Sequence, residues 1–573
     1  MNKIFLLLFV SASFLMTSCE DMLDVDSKKK VFGDENEMKS DDLYSIFGIL
    51  HELQNLVDSY VILGELRGDL LESRTDVNKF LDEINLFDNY SKDNPYTNNK
   101  GDYYAVINNC NYVIHNLDTA KVTQGEKTLY SAMAAAKGIR AWTYMQLALN
   151  YEEVYYFDKP LLSIGEGMKE QKPIKKEDLF PMLITDILPF KHVPPIYKGS
   201  WGGFIWPELL CISIPFTLGD LYLWTGQYEN AANEYRDLMF NGMAGYGYAY
   251  TTAQRSTYEI SNAIVGPNTV FTGRWYSPAF IAGKSYYEEY ISVMAASNEF
   301  ERKTSINDMF YLNNGNTLAD RYPVLLPTTK ALDNFDKALY FENYFLDGQN
   351  VKSLTTYGDI RKNQTFLSFN FSMGESRDTI TYVGKYLNMN GVPPQYAREP
   401  NIIVLYRVGM LYLRYAEAVN RLNKPNLAMA VLKHGLKSAT IANRDIIPAN
   451  EAPEMLPNYM NFNDTRFDDN LGVRARGLGY TERDTTFYII KLDGIINPTL
   501  NDSVLFVENL IQEELALESA YEGNRFHDLM RIAMRRDDNA YLANIVASKF
   551  QDEGTKQVVK QKLTANREKW YIK

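Results

Sequence analysis

Helical spacing of apolar side chains dominates both ends of the chain and fades in its middle. From Leu43 the run LYSIFGILHELQNLV sets apolar residues three and four apart, which predicts a helix with one buried stripe. Residues 102–117 (DYYAVINNCNYVIHNL) and 127–151 (KTLYSAMAAAKGIRAWTYMQLALNY) predict a second and a third. A fourth is expected over residues 176–190, where Lys176, Glu177 and Asp178 open the run and the acids suit a helix N-terminus. Residues 240–400 break the pattern. They are rich in Gly, Tyr, Asn and Thr, with short β-like runs at Thr269–Phe271 and Thr379–Val383. They read as a long irregular insertion, the kind of segment that carries binding surfaces on a rigid scaffold.

Two stretches read as helix pairs. Residues 216–239 (FTLGDLYLWTGQYENAANEYRDLM) follow the tetratricopeptide pattern. Leu218, Gly219 and Tyr222 lie on the first helix, Gly226 and Tyr228 at the turn, and Ala231 and Tyr235 face back from the second. Residues 411–432 repeat the arrangement. Ala416 and Ala428 stand twelve apart, as Gly219 and Ala231 do, with Asn423 and Pro425 in the turn. Small residues let two helices approach and large ones fill the seam, so such pairs stack. The expected fold class is mainly α: tetratricopeptide-like helical pairs with a long irregular insertion carrying short strands.

The first residues are of another kind. Lys3 precedes an apolar run from Ile4 to Val10, then small and polar residues, then Cys19 behind Thr17-Ser18. That is the order of a secretory leader, and a cysteine at the cut resembles a bacterial lipobox, with Met16 where Leu is more frequent. The run is far shorter than the ~20 apolar residues of a spanning helix. The expected organisation is a leader over 1–18, lipidated Cys19 with a polar tether over 19–42, and a body over 43–573. The body divides into a helical part (43–239), the insertion (240–400) and a second helical part (401–573).

Composition narrows the function. At 573 residues, 46% hydrophobic and 23% charged, the chain is globular rather than disordered. A net charge of −13 argues against sequence-independent nucleic-acid binding, which needs a basic face. Cys110 and Cys211 fit no zinc spacing and are expected as buried free thiols. His51, His115, His192, His434 and His527 form no metal pair, and no P-loop, GxGxxG or GxSxG occurs. No cofactor and no metal is expected. Glu514, Glu518 and Glu522 stand four apart on one helix face, whereas glycoside cleavage needs two carboxylates across a cleft. Pairing of this row with Arg525 and Arg531 is expected instead, with Gly523 ending the helix in a left-handed conformation.

The segment IQEELALESAYEGNRFHDLMR, residues 511–531, resembles the ER-x-x-EL-x-x-EG-x-R-x-x-DL-x-R signature of the SusD/RagB family. The matching residues are Glu514-Leu515, Glu518, Glu522-Gly523, Arg525, Asp528-Leu529 and Arg531. Asn111, Arg140-Ala141, Tyr144, Tyr357, Asp359, Arg361, Arg407 and Tyr415–Ala418 resemble further family positions in the family's order. The closing KLTANREKWYIK departs from the tail many members carry. The resemblance implies a lipid-anchored, outward-facing outer-membrane protein without enzymatic activity. It implies a SusC-like TonB-dependent transporter as partner, with this chain as its lid, and an oligosaccharide as ligand. The RagB-like branch would make the ligand a peptide. A lipid-anchored glycan hydrolase and a bare interaction scaffold are the remaining readings.

A sugar site needs flat rings and polar groups together. Comparable family loops point to two stretches. Residues 84–96 offer Phe87, Asn89, Tyr90 and Tyr96; residues 274–290 offer Trp275, Tyr276, Tyr286, Tyr287 and Tyr290. Arg67-Gly68-Asp69 copies an adhesion tripeptide by chance and is expected to pack beside the first helices, with Arg67 or Asp69 turned to ligand.

Overall fold

The computed structural model describes residues 42–120, 128–167, 172–194, 207–242, 249–252, 259–260, 267–268, 289–296, 304–312, 318–346, 350–373, 376–386, 388–390, 395–397 and 402–573. Cys19, the leader and most of the tether lie outside them. Contacts separate Met1–Gly48 from Ile49–Lys573, and the second unit holds the repeat pairs, the hairpins and the C-terminal helices.

The helices expected from periodicity are present: α1 (Lys100–Asn116), α2 (Thr128–Tyr151) and α3 (Lys176–Ile187). The first run divides into Asp42–Leu53 and Val57–Glu65 around one 3-10 turn. The two repeat pairs follow: α4 (Ile214–Trp224) with α5 (Tyr228–Asn241), and α6 (Val408–Arg421) with α7 (Pro425–Lys433). At the seam of the first pair, a Cβ on Gly219 would lie 2.3 Å from the Tyr235 ring, so only glycine admits that ring. The Tyr235 hydroxyl then donates to Asp220 Oδ1 at 2.6 Å. In the second pair Asn423 takes the left-handed conformation (φ 60°) and Pro425 opens α7 at its first position.

The C-terminal helices are α8 (Leu500–Glu518), started by a Thr499–Asp502 capping box, α9 (Arg525–Arg536), α10 (Asn539–Ala547) and α11 (Glu553–Ala565). Helix α8 stops at Glu518, so Gly523 does not cap it. Gly523 (φ 83°) instead shapes the turn into α9, together with Tyr521 (φ 66°).

The insertion is more regular than its composition suggests. It carries two antiparallel hairpins of eight-residue strands: β1 (Leu339–Leu346) with β2 (Asn350–Tyr357), and β3 (Phe366–Met373) with β4 (Ser376–Val383). The sequence FLSFNFSM alternates from Leu367 to Ser372, which fits a strand with one packed and one wet face. Cys110 is buried and Cys211 partly buried; both are free thiols, and burial pushes each up to about 12.

Candidate functional site

Charge inside the body is concentrated where the family-like motif lies. Glu518 meets Arg361 Nη1 at 2.6 Å, Arg407 Nη1 at 2.7 Å and Arg476 Nη1 at 3.1 Å. Burial opposes its ionisation, but the guanidinium groups of Arg476, Arg407 and Arg361 outweigh that and hold it well below the usual carboxylate range. Glu514 bonds Arg361 at 2.7 Å, and Glu522 bonds Arg407 at 2.8 Å and Lys385 at 2.7 Å. The carboxylate row is therefore an ion-pair network, but not with the expected partners. Its cations come from positions 361–476, because the chain leaves the helix after Glu518 and carries Arg525 away. Arg525 pairs with Asp69 at 2.6 Å, and Arg531 with Glu417 at 2.7 Å and Asp528 at 3.0 Å.

The RGD tripeptide lies inside this framework. Arg67 and Asp69 have no exposed surface. Arg67 donates to Leu63 O at 2.7 Å and Trp570 O at 3.0 Å and also bonds Asn150. The Glu65 carboxylate collects the N–H groups of Tyr521, Gly523, Asn524 and Arg525 at 2.8–3.3 Å. Burial pushes Glu65 up to about 7 against those four bonds. Burial likewise pushes Lys549, whose ammonium donates to Leu66 O and Leu71 O, down to about 7. Neither Arg67 nor Asp69 offers a face to a ligand.

The loop over 84–96 is half drawn in. Glu83 anchors it, accepting from the Ser91 N–H at 2.9 Å and Asn94 Nδ2 at 2.8 Å. Phe87 is buried against Phe526, Tyr90 and Tyr96 are half-buried, and Asn89 is exposed. Tyr290 is buried in strand Tyr290–Ala295, paired with Ile402–Arg407. Trp275, Tyr276, Tyr286 and Tyr287 lie outside the described residues.

A set of rings that the sequence reading passed over shares one surface. On the β3–β4 hairpin, Leu367 faces Tyr382 and Phe369 faces Ile380. Ile380 and Tyr382 are buried, while Leu367, Phe369, Tyr311, Leu312 and Tyr322 pack on them half-exposed. The segment bearing Tyr311 is held by Asp58, which accepts from the Ser305 N–H at 2.9 Å and from both the Thr304 and Ser305 hydroxyls. Tyr96 hydrogen-bonds with the Ser305 side chain, so one expected residue reaches the same segment. Arg74 Nη1 donates to Tyr322 O at 2.9 Å, and the Arg321 guanidinium lies 5.8 Å from the Phe369 ring centroid. Alternation in residues 367–372 was the signal for this surface. Half-exposed rings packed on and beside a β-hairpin, edged by cations, can stack on sugar faces and bond polar substituents. Among the described residues no group of His, Cys, Asp and Glu is placed to hold a metal, and no helix is long and apolar enough to cross a membrane.

Comparison with known proteins agrees with the fold. Over 91% of this chain and 92% of the other, it is similar to a SusD superfamily protein from Bacteroides vulgatus, at 15% identity and a TM-score of 0.56. A second SusD superfamily protein, from Bacteroides thetaiotaomicron, matches 86% of this chain and 88% of its own at 14% identity and a TM-score of 0.55. A laminarin-binding SusD-like protein matches 90% and 95% at 14% identity and a TM-score of 0.51. No curated protein matches the sequence. The sequence model of the SusD family matches residues 283–572, which span the β hairpins, the second repeat pair and the motif around Gly523. The chain belongs to the SusD family.

Proposed function

We propose that the protein is an outer-membrane lipoprotein, anchored through Cys19 and facing the cell exterior, that captures an oligosaccharide and hands it to a SusC-like TonB-dependent transporter as its lid. Family membership supports the class, and the order of residues 1–19 supports the anchor. The division into leader (1–18), tether (19–42) and body (43–573) belongs to this proposal. So does the absence of chemistry: the buried carboxylates Glu514, Glu518 and Glu522 are each paired with an arginine.

The half-exposed cluster of Tyr311, Tyr322 and Phe369 carries the proposal. Water is partly excluded there, and the strands beneath fix the ring positions before a ligand arrives. Calorimetry of the purified protein against a panel of oligosaccharides tests it. Saturable binding without product release is expected, and Tyr322→Ala should weaken it about tenfold, the usual scale for one lost ring contact. Binding that survives removal of both Tyr322 and Phe369, or product formation from any glycan, would overturn it.

A further inference from the structure

Among the described residues, the same face holds a cation with no carboxylate partner. Arginines of the C-terminal network each meet a carboxylate. Arg74 does not. It is half-buried, and its one side-chain hydrogen bond among the described residues runs to the carbonyl of Tyr322. Asp82, on the short helix Lys79–Asn85 that follows, is committed to the Ser73 hydroxyl at 2.7 Å and the Asp76 N–H at 3.0 Å. Arg321 adds a second guanidinium beside Phe369.

A guanidinium presents a planar fork of donors that matches a carboxylate or sulfate in two parallel bonds. Partial burial strengthens that pairing by lowering the effective dielectric around it. Holding one backbone carbonyl uses a single donor, which a lysine could supply, and leaves the fork's other edge for something else. We propose that this face takes an acidic oligosaccharide, with a carboxylate or sulfate of the sugar seated on Arg74. The inference rests on the carbohydrate reading above and names its class. Charge adds to ring stacking here, so affinity should depend on the acid group more than on sugar identity.

Matched pairs isolate the charge: tetragalacturonate and its methyl ester, sialyllactose and lactose, and a sulfated galactan tetrasaccharide and its desulfated form, titrated calorimetrically into the purified protein. A tetraglutamate peptide is the further arm. At low ionic strength at least one acidic sugar should bind about tenfold or more tightly than its neutral counterpart, with the advantage shrinking as salt is added. Arg74→Gln should erase the advantage of the acidic member over its neutral partner, while Arg74→Lys keeps part of it. Sugar binding with no acidic advantage in any pair overturns the proposal and leaves carbohydrate capture standing. So does an Arg74→Gln loss that falls equally on both members of a pair, since that is a scaffold effect. No binding by any sugar overturns carbohydrate capture as well, and binding of tetraglutamate alone replaces it with a peptide ligand.

Discussion

The network around Glu518 and the face around Phe369 treat polar and aromatic groups in opposite ways. In the first, every charge lies within reach of its opposite and is closed off from water: Arg361, Arg407, Glu514, Glu518 and Glu522 are all 2% exposed or less. In the second, rings and guanidinium groups stop half-way, packed beneath and open above. Burying ions is costly unless the geometry is complete, so a filled network fixes one arrangement of distant segments rather than adding much net stability. Leaving aromatic surface half-wet also has a cost, and a ligand can recover it. Charge density alone therefore locates the frame of this molecule, and incomplete burial locates the face for partners.

Removing one partner from the network is the strongest way to break the contrast. Glu518→Ala leaves Arg361, Arg407 and Arg476 short of a counter-charge in the interior. A loss of about 3–5 kcal/mol is expected, read as the midpoint of urea unfolding. A midpoint within error of the parent would mean that the network is slack. Gly523→Ala comes next. Its Cβ would lie 2.4 Å from the Tyr60 ring, and the residue would keep a left-handed φ of 83°. Strain and overlap together should cost about 3 kcal/mol by the same measurement. Gly64 sits against the same turn, where a Cβ would fall 1.8 Å from Gly523 O, so Gly64→Ala should do similar damage from the other side.

How much of this was legible depends on whether the signal was local. The helix pairs were, because their signals act within one pair: Gly219 meets Tyr235 sixteen positions on, and Asn423 and Pro425 shape the turn they stand in. The carboxylate row was legible as a network but not by partner: Arg361 and Arg407 lie more than a hundred residues before Glu518. The loop over 84–96 held aromatic residues in a polar setting, and only tertiary packing, Phe87 on Phe526 among it, decides which turn inward. Phe369 had a usable pattern in the alternation of β3, overshadowed by the Gly- and Asn-rich composition around it.

A smaller effect separates two groups at the edge of the network. Glu65 has its proton affinity raised from the ordinary 4.5 to about 7, so the folded chain binds that proton more tightly than the unfolded one. Its contribution is full below about pH 4.5 and is lost as pH rises towards 7. Lys549 is shifted the other way, from 10.5 down to about 7, so its contribution falls as pH drops from about 10.5 to 7. The two together give a stability minimum near neutral pH. Thermal melts across that range should show Glu65→Gln flattening the acid arm and Lys549→Met the alkaline arm. Profiles that stay parallel to the parent would remove both groups from the account.

The smallest stability effect belongs to the face itself, and that smallness is the test of the contrast. Phe369 stands on one hairpin, is already half in water, and pairs across the strand with Ile380. Truncating it exposes part of one buried neighbour and orphans no charge, so Phe369→Ala should cost about 1 kcal/mol in urea unfolding, well under the price of full aromatic burial. The same change removes a stacking surface, so oligosaccharide affinity should fall about tenfold. Glu518→Ala should behave conversely, lowering the unfolding midpoint sharply while the fraction still folded binds with near-parent affinity. If Phe369→Ala proves as destabilising as the network variant and leaves binding unchanged, the half-exposed rings are core that happens to be thinly covered, and the division between frame and face fails at that position.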